Sequence, residues 1–208
     1  MPPQESILVF ARAPVPGRCK TRLIRRLGAR RAARIQAALC WKTLRTASAC
    51  ARAQTRLIAT PLTRHPYFAR CTKQFEIACQ AQATGDLGRR MARAIDAALA
   101  DGAQRAVLIG TDCPQLTAAD LAAAFDVLQG PADVVLQPAS DGGYVLIGSR
   151  VRLGNGLRHI AWSSGRECAQ TQRALRGAGH RLALLRRLAD VDDPVDFRRE
   201  RRRGLTAF

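Results

Sequence analysis

Val107-Leu-Ile-Gly-Thr-Asp-Cys-Pro114 is the stretch on which the reading of the fold turns. The apolar run over residues 106–109 is bounded by Gly110 and passes into a polar turn. That is the pattern of a buried parallel strand whose carboxyl end opens into a loop. Ligands of open α/β sheets bind just outside the carboxyl ends of the strands, which makes Asp112 a candidate ligand-contacting carboxylate. A plain loop carboxylate or a helix cap is the competing reading of the same residue. Pro114 stiffens the turn and holds Cys113 in extended backbone.

Upstream, an apolar run at residues 7–10 reads as the first strand and is followed by Ala11-Arg-Ala-Pro-Val-Pro-Gly-Arg-Cys-Lys-Thr-Arg-Leu23. Pro14, Pro16 and Gly17 can continue neither a strand nor a helix, so this is a constrained loop. It presents Arg18, Lys20, Thr21 and Arg22 just past a strand end. A helix should follow, with Ala32, Ile35, Leu39, Thr43, Ala47 and Cys50 as its buried stripe. A strand, a Pro/Gly-rich cationic loop and a helix are in outline a phosphate-binding arrangement, with Pro14, Gly17, Lys20 and Arg22 as the candidate contacts. The Walker spacing G-x-x-x-x-G-K-[ST] is absent. In so arginine-rich a chain a merely charged surface loop competes with this reading, although Lys20 is one of only three lysines, with Lys42 and Lys73.

Further strands are expected at residues 56–60 and 75–78, with a short helix over 66–73 between them. Gly85-Asp-Leu-Gly-Arg-Arg-Met91 opens another helix, with Asp86 as N-cap and Leu87, Met91, Ala94, Ile95, Ala98 and Leu99 at helical spacing. Gly85 and Gly88 would let backbone approach a ligand closely. Beyond the central strand, Thr117-Ala-Ala-Asp120 is a capping box. Residues 133–137 form the next strand, and Pro138-Ala-Ser-Asp-Gly-Gly-Tyr-Val-Leu-Ile147 enters another. Asp141-Gly142 alone is an ordinary hairpin signal, which leaves Gly143 surplus to the turn and free to lie against a ligand beside the Asp141 carboxylate. Ser164-Gly-Arg-Glu167 caps a further helix, residues 181–185 form a last strand, and Asp193-Pro194 starts a basic C-terminal helix over about 194–203. Asp190 and Asp192 precede that helix and remain for other work.

Strands alternating with helices throughout predict a single α/β domain over residues 1–208, a mostly parallel sheet flanked by helices with one antiparallel insertion. The chain of 208 residues is 47% hydrophobic, enough for one sizeable core. No apolar run is long enough to span a bilayer, and no basic-then-apolar segment with a small-residue cleavage site opens the sequence. Its seven cysteines show neither a C-x-x-C pair nor zinc-type spacing. A reduced, cytoplasmic protein is expected. The net charge of +18 raises nucleic acid as a partner. Its arginines, however, are scattered over every expected helix, aromatics are only 5%, and no nucleic-acid-binding motif is present. Non-specific phosphate affinity is expected, and specific nucleic-acid recognition is not.

Six of these stretches in this order resemble a family of small bacterial transferases described as glycosyltransferases, some linked to arsenosugar biosynthesis. They are Phe10-Ala-Arg-Ala-Pro-Val-Pro-Gly-Arg-Cys-Lys-Thr-Arg-Leu23, Gly85-Asp-Leu-Gly-Arg-Arg-Met91, Ile109-Gly-Thr-Asp-Cys-Pro114, Pro138-Ala-Ser-Asp-Gly-Gly-Tyr-Val-Leu-Ile-Gly148, Ile160-Ala-Trp162 and Asp190-Val-Asp192. Arg12 and Cys19 stand where that family usually has lysine and valine. The resemblance implies a GT-A, or nucleotide-diphospho-sugar transferase-like, fold. It further implies a divalent cation (Mg²⁺ or Mn²⁺) held by Asp112 and Asp192, with phosphate at Lys20 and Arg22. It adds Gly85, Asp86, Gly142 and Gly143 to the nucleotide-binding candidates, and Asp141 joins Asp112 as a catalytic candidate near the transferred group. The expected function is a metal-dependent glycosyltransferase with a nucleotide-diphospho-sugar donor and a small-molecule acceptor. Nucleotidylyl transfer from a nucleoside triphosphate to a phosphorylated small molecule is the alternative, and a basic nucleic-acid-binding module the third reading.

Overall fold

A computed structural model describes residues 4–61 and 63–188 of the chain. The strands are β1 (Glu5–Arg12), β2 (Gln54–Thr60), β3 (Ala78–Ala81), β4 (Arg105–Ile109), β5 (Val134–Pro138), β6 (Tyr144–Ser149) and β7 (Leu182–Leu184). Between them lie α1 (Thr21–Leu27), α2 (Ala29–Ser48), α3 (Pro66–Phe75), α4 (Leu87–Ala100), α5 (Ala118–Gln129) and α6 (Glu167–Gly177). They build one sheet in the order β3-β2-β1-β4-β6-β5-β7. β1 runs parallel to both β2 and β4, and β5 parallel to β7. β6 alone runs against its neighbours, antiparallel to β4 and β5, which is the expected insertion.

Period-two alternation along the strands sorts the core onto both faces of the sheet. Ile7 and Val9 of β1 and Val107 and Ile109 of β4 face α2, α3 and α5, where Leu44, Phe68 and Phe125 are buried. Leu8 and Phe10, with Leu108, face the other way, onto Met91 and Ile95 of α4 and Leu175 of α6. Each such fully buried large side chain contributes about 1.5–3 kcal/mol of burial free energy. With helices covering both faces, the ends of the strands are where ligands can enter.

Local chemistry sets the boundaries. The Thr117 hydroxyl accepts from the Asp120 amide while the Asp120 carboxylate accepts from the Thr117 amide at 2.9 Å, so the capping box forms as read. Asp86 caps α4, accepting from the Arg89 amide at 2.8 Å. Three expectations need correction. The cationic loop runs first into the short helix α1, which Gly28 (φ 78°) separates from α2, so the single helix expected there is two. The expected stripe is buried on α2 except Cys50, which lies beyond its end but is buried too. The third strand begins at Ala78 rather than at residue 75. Phe75 is instead the last residue of α3, its ring 4.9 Å from Trp41, and Glu76 ends that helix in left-handed backbone (φ 52°). The expected C-terminal helix at 194–203 and Asp190, Asp192 and Asp193 lie outside the described residues.

Candidate functional site

At the carboxyl ends of β1 and β4, two loops from neighbouring strands face each other. The loop after β1 is tied into a compact turn by the Arg18 amide on the Val15 carbonyl (3.0 Å) and by the Arg12 guanidinium on the Arg18 carbonyl (3.1 Å). Its last residue, Lys20, is held in left-handed backbone (φ 45°, ψ 48°), a region costly to residues other than glycine. That conformation turns the lysine in toward the sheet. Its side chain is 7% exposed and its Nζ lies 3.2 Å from the Asp112 Oδ1, while Asp112 itself keeps half of its side chain open. Behind the pair, the Gln36 amide of α2 donates to the Thr111 hydroxyl (3.2 Å) and to the Arg12 carbonyl (3.4 Å), fixing the two loops to one helix. Cys19 faces the same region; burial pushes its thiol up, opposed by the nearby charges of Arg12 and Lys20.

These loops line a cavity of about 650 Å³ that reaches from Lys20 and Arg22 past Asp112 to Asp141 and Gly143. A small-molecule site of several hundred Å³ with a few convergent polar groups is the ordinary form of a binding pocket. Asp141 and Asp112 therefore sit on the same side of the sheet, at one opening. The Asp141 Oδ1 accepts from the Gly143 amide at 2.9 Å, which fixes the carboxylate over its own turn. Gly143 lines the cavity.

Other residues singled out in the sequence stand elsewhere. Pro14 and Gly17 form the outer part of the loop that delivers Lys20, and Gly17 has the positive φ (82°) that such a turn needs. Neither belongs to the cavity wall, and neither do Gly85, Asp86 and Gly142. Gly142 is close-packed against protein: a Cβ there would lie 1.9 Å from the Gly165 carbonyl oxygen. Gly88, expected to admit a ligand, instead admits the Leu157 carbonyl, 2.2 Å from where its Cβ would be. Three residues that sequence reasoning did not single out do border the site. Gln36 braces it from below, Arg90 lines it and donates to Gln82 at 2.8 Å, and Trp162 stands beside a neighbouring alcove. Gln36 sits on a helix without a local pattern to mark it, while Arg90 and Trp162 fall inside two of the family-like stretches but carry no signal of their own there.

Asp112 is a described residue that could help hold a divalent cation. Among the described residues no group of three or more His, Cys, Asp and Glu side chains converges as a complete protein cage. Asp112 offers one half-open carboxylate in a cavity flanked by cations. That donor set matches Mg²⁺-type sites, in which one or two carboxylates and the substrate phosphates hold the ion together. Among the described residues no helix is long and apolar enough to cross a membrane.

A family model described as "Uncharacterized protein conserved in bacteria (DUF2064)" matches residues 43–164. None of the curated proteins matches the sequence. Among solved structures, the chain is similar to a candidate nucleotide-diphospho-sugar transferase from Desulfovibrio desulfuricans G20, at 29% identity and TM-score 0.83, over 95% of this chain and 85% of that one. The fold is also shared with a CMP:2-keto-3-deoxy-manno-octonic acid synthetase complexed with CTP, at 14% identity and TM-score 0.57, over 96% and 97% of the two chains. A third similar structure is Rv0371C of Mycobacterium tuberculosis H37Rv in complex with manganese, at 20% identity and TM-score 0.50, over 96% and 98%. The architecture is thus that of the nucleotide-diphospho-sugar transferase-like folds.

Proposed function

The chain belongs to the bacterial family DUF2064, and from its site and its structural likenesses we propose that it transfers a sugar from a nucleotide-diphospho-sugar to a small acceptor, assisted by a divalent cation. One observation carries the reading. A nearly buried lysine in strained backbone is aimed at a half-open aspartate at the carboxyl ends of two adjacent parallel strands, inside a cavity large enough for a nucleotide sugar. The likeness to the Desulfovibrio protein supports the donor class, and the manganese complex of a protein of the same fold agrees with the choice of cation.

The chemistry asked of the chain is the stabilisation of a leaving diphosphate. Lys20 and Arg22 would face the negative charge that builds as the bond between sugar and diphosphate breaks, and once on phosphate they act without reorganising at the moment of reaction. Asp112 would hold the cation, with Asp192 as its proposed second carboxylate. When bound, the ion supplies Lewis-acid neutralisation of the diphosphate. Lys20 then gives up its contact with Asp112 and turns to phosphate, a short move for a flexible four-carbon stem. Gln36 and Thr111 keep the two loops in register while it does so. Asp141, across the opening, borders the region where the sugar and its acceptor meet. All seven cysteines are free thiols, which agrees with a reducing, cytoplasmic setting. Nothing in the residues around the cavity selects an arsenosugar acceptor over other small molecules.

The reading is tested by incubating the protein and Mn²⁺ with UDP-, GDP- and dTDP-sugars and following release of the nucleoside diphosphate. Slow release without an acceptor, accelerated by the correct one, is the expected result. Pyrophosphate released from a nucleoside triphosphate, with no nucleoside diphosphate from any sugar donor, would assign nucleotidylyl transfer instead.

A further inference from the structure

Beyond Arg22 the cavity opens into a second alcove of about 380 Å³, whose outer wall is Trp162 and Ser163 and whose inner wall is Asp141, Gly143 and Tyr144. Because Arg22, Asp141 and Tyr144 border both spaces, whatever occupies the alcove lies against whatever occupies the larger cavity.

Close contacts make this wall rigid. The segment around residues 161–167 is clamped to the Asp141 turn, with the Cys168 amide on the Gly142 carbonyl at 3.0 Å and Gly165 packed into the space that Gly142 leaves open. The Ala161 amide donates to Gln170 Oε1 at 2.8 Å, and the Ser164 amide to Glu167 Oε1 at 2.5 Å. Trp162 rests on α4, where a side chain at Gly88 would come within 3.0 Å of its ring, and its ring meets Tyr144 edge-on, centroids 6.3 Å apart. The half-buried indole, together with Leu87 and Met91, gives the alcove an apolar side.

The polar side carries both signs, Asp141 and Glu167 against Arg22 at the neck, so it is matched to no strongly charged occupant. What remains is a neutral molecule with an apolar face for the aromatic wall and hydroxyls for Asp141, Ser163 and the glycine backbone. On the transferase reading above, we infer that this alcove is the acceptor site and that the acceptor is a neutral polyhydroxylated ring, its C–H face laid on Trp162. One acceptor hydroxyl points at the Asp141 carboxylate. In the transfer, that hydroxyl oxygen forms the new bond to the anomeric carbon, and the bond from that carbon to the diphosphate oxygen breaks. The nucleoside diphosphate leaves with the electron pair, and the hydroxyl proton passes to Asp141.

The test reads Trp162 directly. In a Trp41→Phe background, where Phe keeps an aromatic ring against Phe75, Trp162 is the only indole. Its fluorescence is titrated with the methyl glycosides of glucose, mannose, galactose, rhamnose and N-acetylglucosamine, up to about 50 mM because ligands of this size bind weakly. Choline and benzoate serve as charged controls. At least one glycoside should change the emission saturably, and Asp141→Asn should weaken that response roughly tenfold, the scale of one hydrogen bond to a charged group. Absence of saturation with all five glycosides, saturation by choline or benzoate, or a response unmoved by Asp141→Asn overturns the assignment. Calorimetry of GDP and UDP with Mn²⁺ on the same protein separates the two ideas. Nucleotide binding without glycoside binding sinks the alcove alone, while glycoside binding without nucleotide binding sinks the transferase reading and the acceptor role with it.

Discussion

The two ends of β1 and β4 carry two ionic clusters built in opposite ways. At the amino end, Glu5 is 4% exposed, and its carboxylate accepts from Arg52 at 2.5 and 2.8 Å, from Arg105 at 3.2 Å and from Gln129 at 3.4 Å. Arg52 in turn reaches Asp126 at 2.6 Å and lies over the Phe125 ring. Both Glu5 oxygens are spent on the protein, so the cluster ties β1, β4 and α5 together and offers a ligand no buried carboxylate. At the carboxyl end, some five residues along the same strands, Asp112 is half exposed and faces Lys20 at 3.2 Å across an open cavity. The contrast separates charge that holds a fold from charge held ready: saturation marks the first, and a half-open carboxylate kept beside a constrained cation marks the second.

Breaking the amino-terminal cluster should have the largest effect on stability and the smallest on binding. Glu5→Ala leaves Arg52 and Arg105 without their shared carboxylate and should cost about 2–3 kcal/mol, less than for a fully buried pair because both arginines can reach water. Chemical denaturation measures that loss, and affinity for Mn²⁺-nucleotide should stay at the wild-type value. Lys20→Ala should show the reverse pattern. It should weaken nucleoside diphosphate binding by about 1–3 kcal/mol, the scale of a charge-assisted hydrogen bond, and barely move the denaturation midpoint. If Arg18→Ala weakens binding and Lys20→Ala does not, the wrong cation of the loop has been placed on the phosphate.

A third ionic group sharpens the same contrast through pH. Asp133 accepts from Arg181 at 3.0–3.1 Å and from Arg150 at 2.9 and 3.2 Å, and the Arg181 hydrogen bonds, seconded by Arg150, hold its carboxyl well below the usual carboxylate range. A depressed native value means that the unfolded chain takes up the proton first. The stability this group contributes is therefore complete above the ordinary carboxylate value of about 4 and fades as pH falls below it. Melting temperatures of wild type and Asp133→Asn should differ at pH 7 and converge as the pH falls below about 3. Nucleotide affinity at pH 7 should be equal in the two proteins. A gap in melting temperature that widens on acidification would contradict the sign.

Much of this architecture is written locally. The apolar runs of β1 and β4, the capping box at Thr117 and Asp120, and the Asp-Gly turn before β6 each declare themselves within a few residues. What escaped is non-local or ambiguous. α1 is short and follows a proline- and glycine-rich loop, so its periodicity is too brief to register. Phe75-Glu-Ile alternates like a strand, yet Phe75 is drawn into α3 by its contact with Trp41. Nothing local places β6 between β4 and β5, since strand order is fixed by packing across the whole sheet. In the site, Lys20, Arg22, Asp112 and Asp141 stand in short motifs at strand ends, so their neighbourhood was legible. That Gly88 and Gly142 make room for the protein's own backbone was not, because the segments they admit lie far off in sequence. Trp162 was legible only as part of a family motif, without the wall it forms.

On the proposed function the carboxyl-terminal cluster, unlike the amino-terminal one, is built to hold a metal-bound nucleotide through Asp112. Isothermal titration of GDP and UDP into wild type and Asp112→Asn, each with Mn²⁺ and with EDTA, tests it most directly. The substitution removes a charge and almost no volume, so circular dichroism should match wild type and report an intact fold. Wild type should bind tightly only with Mn²⁺, and Asp112→Asn should bind at least about tenfold more weakly with no improvement from Mn²⁺. Equal affinity and equal Mn²⁺ dependence in the two proteins would contradict it.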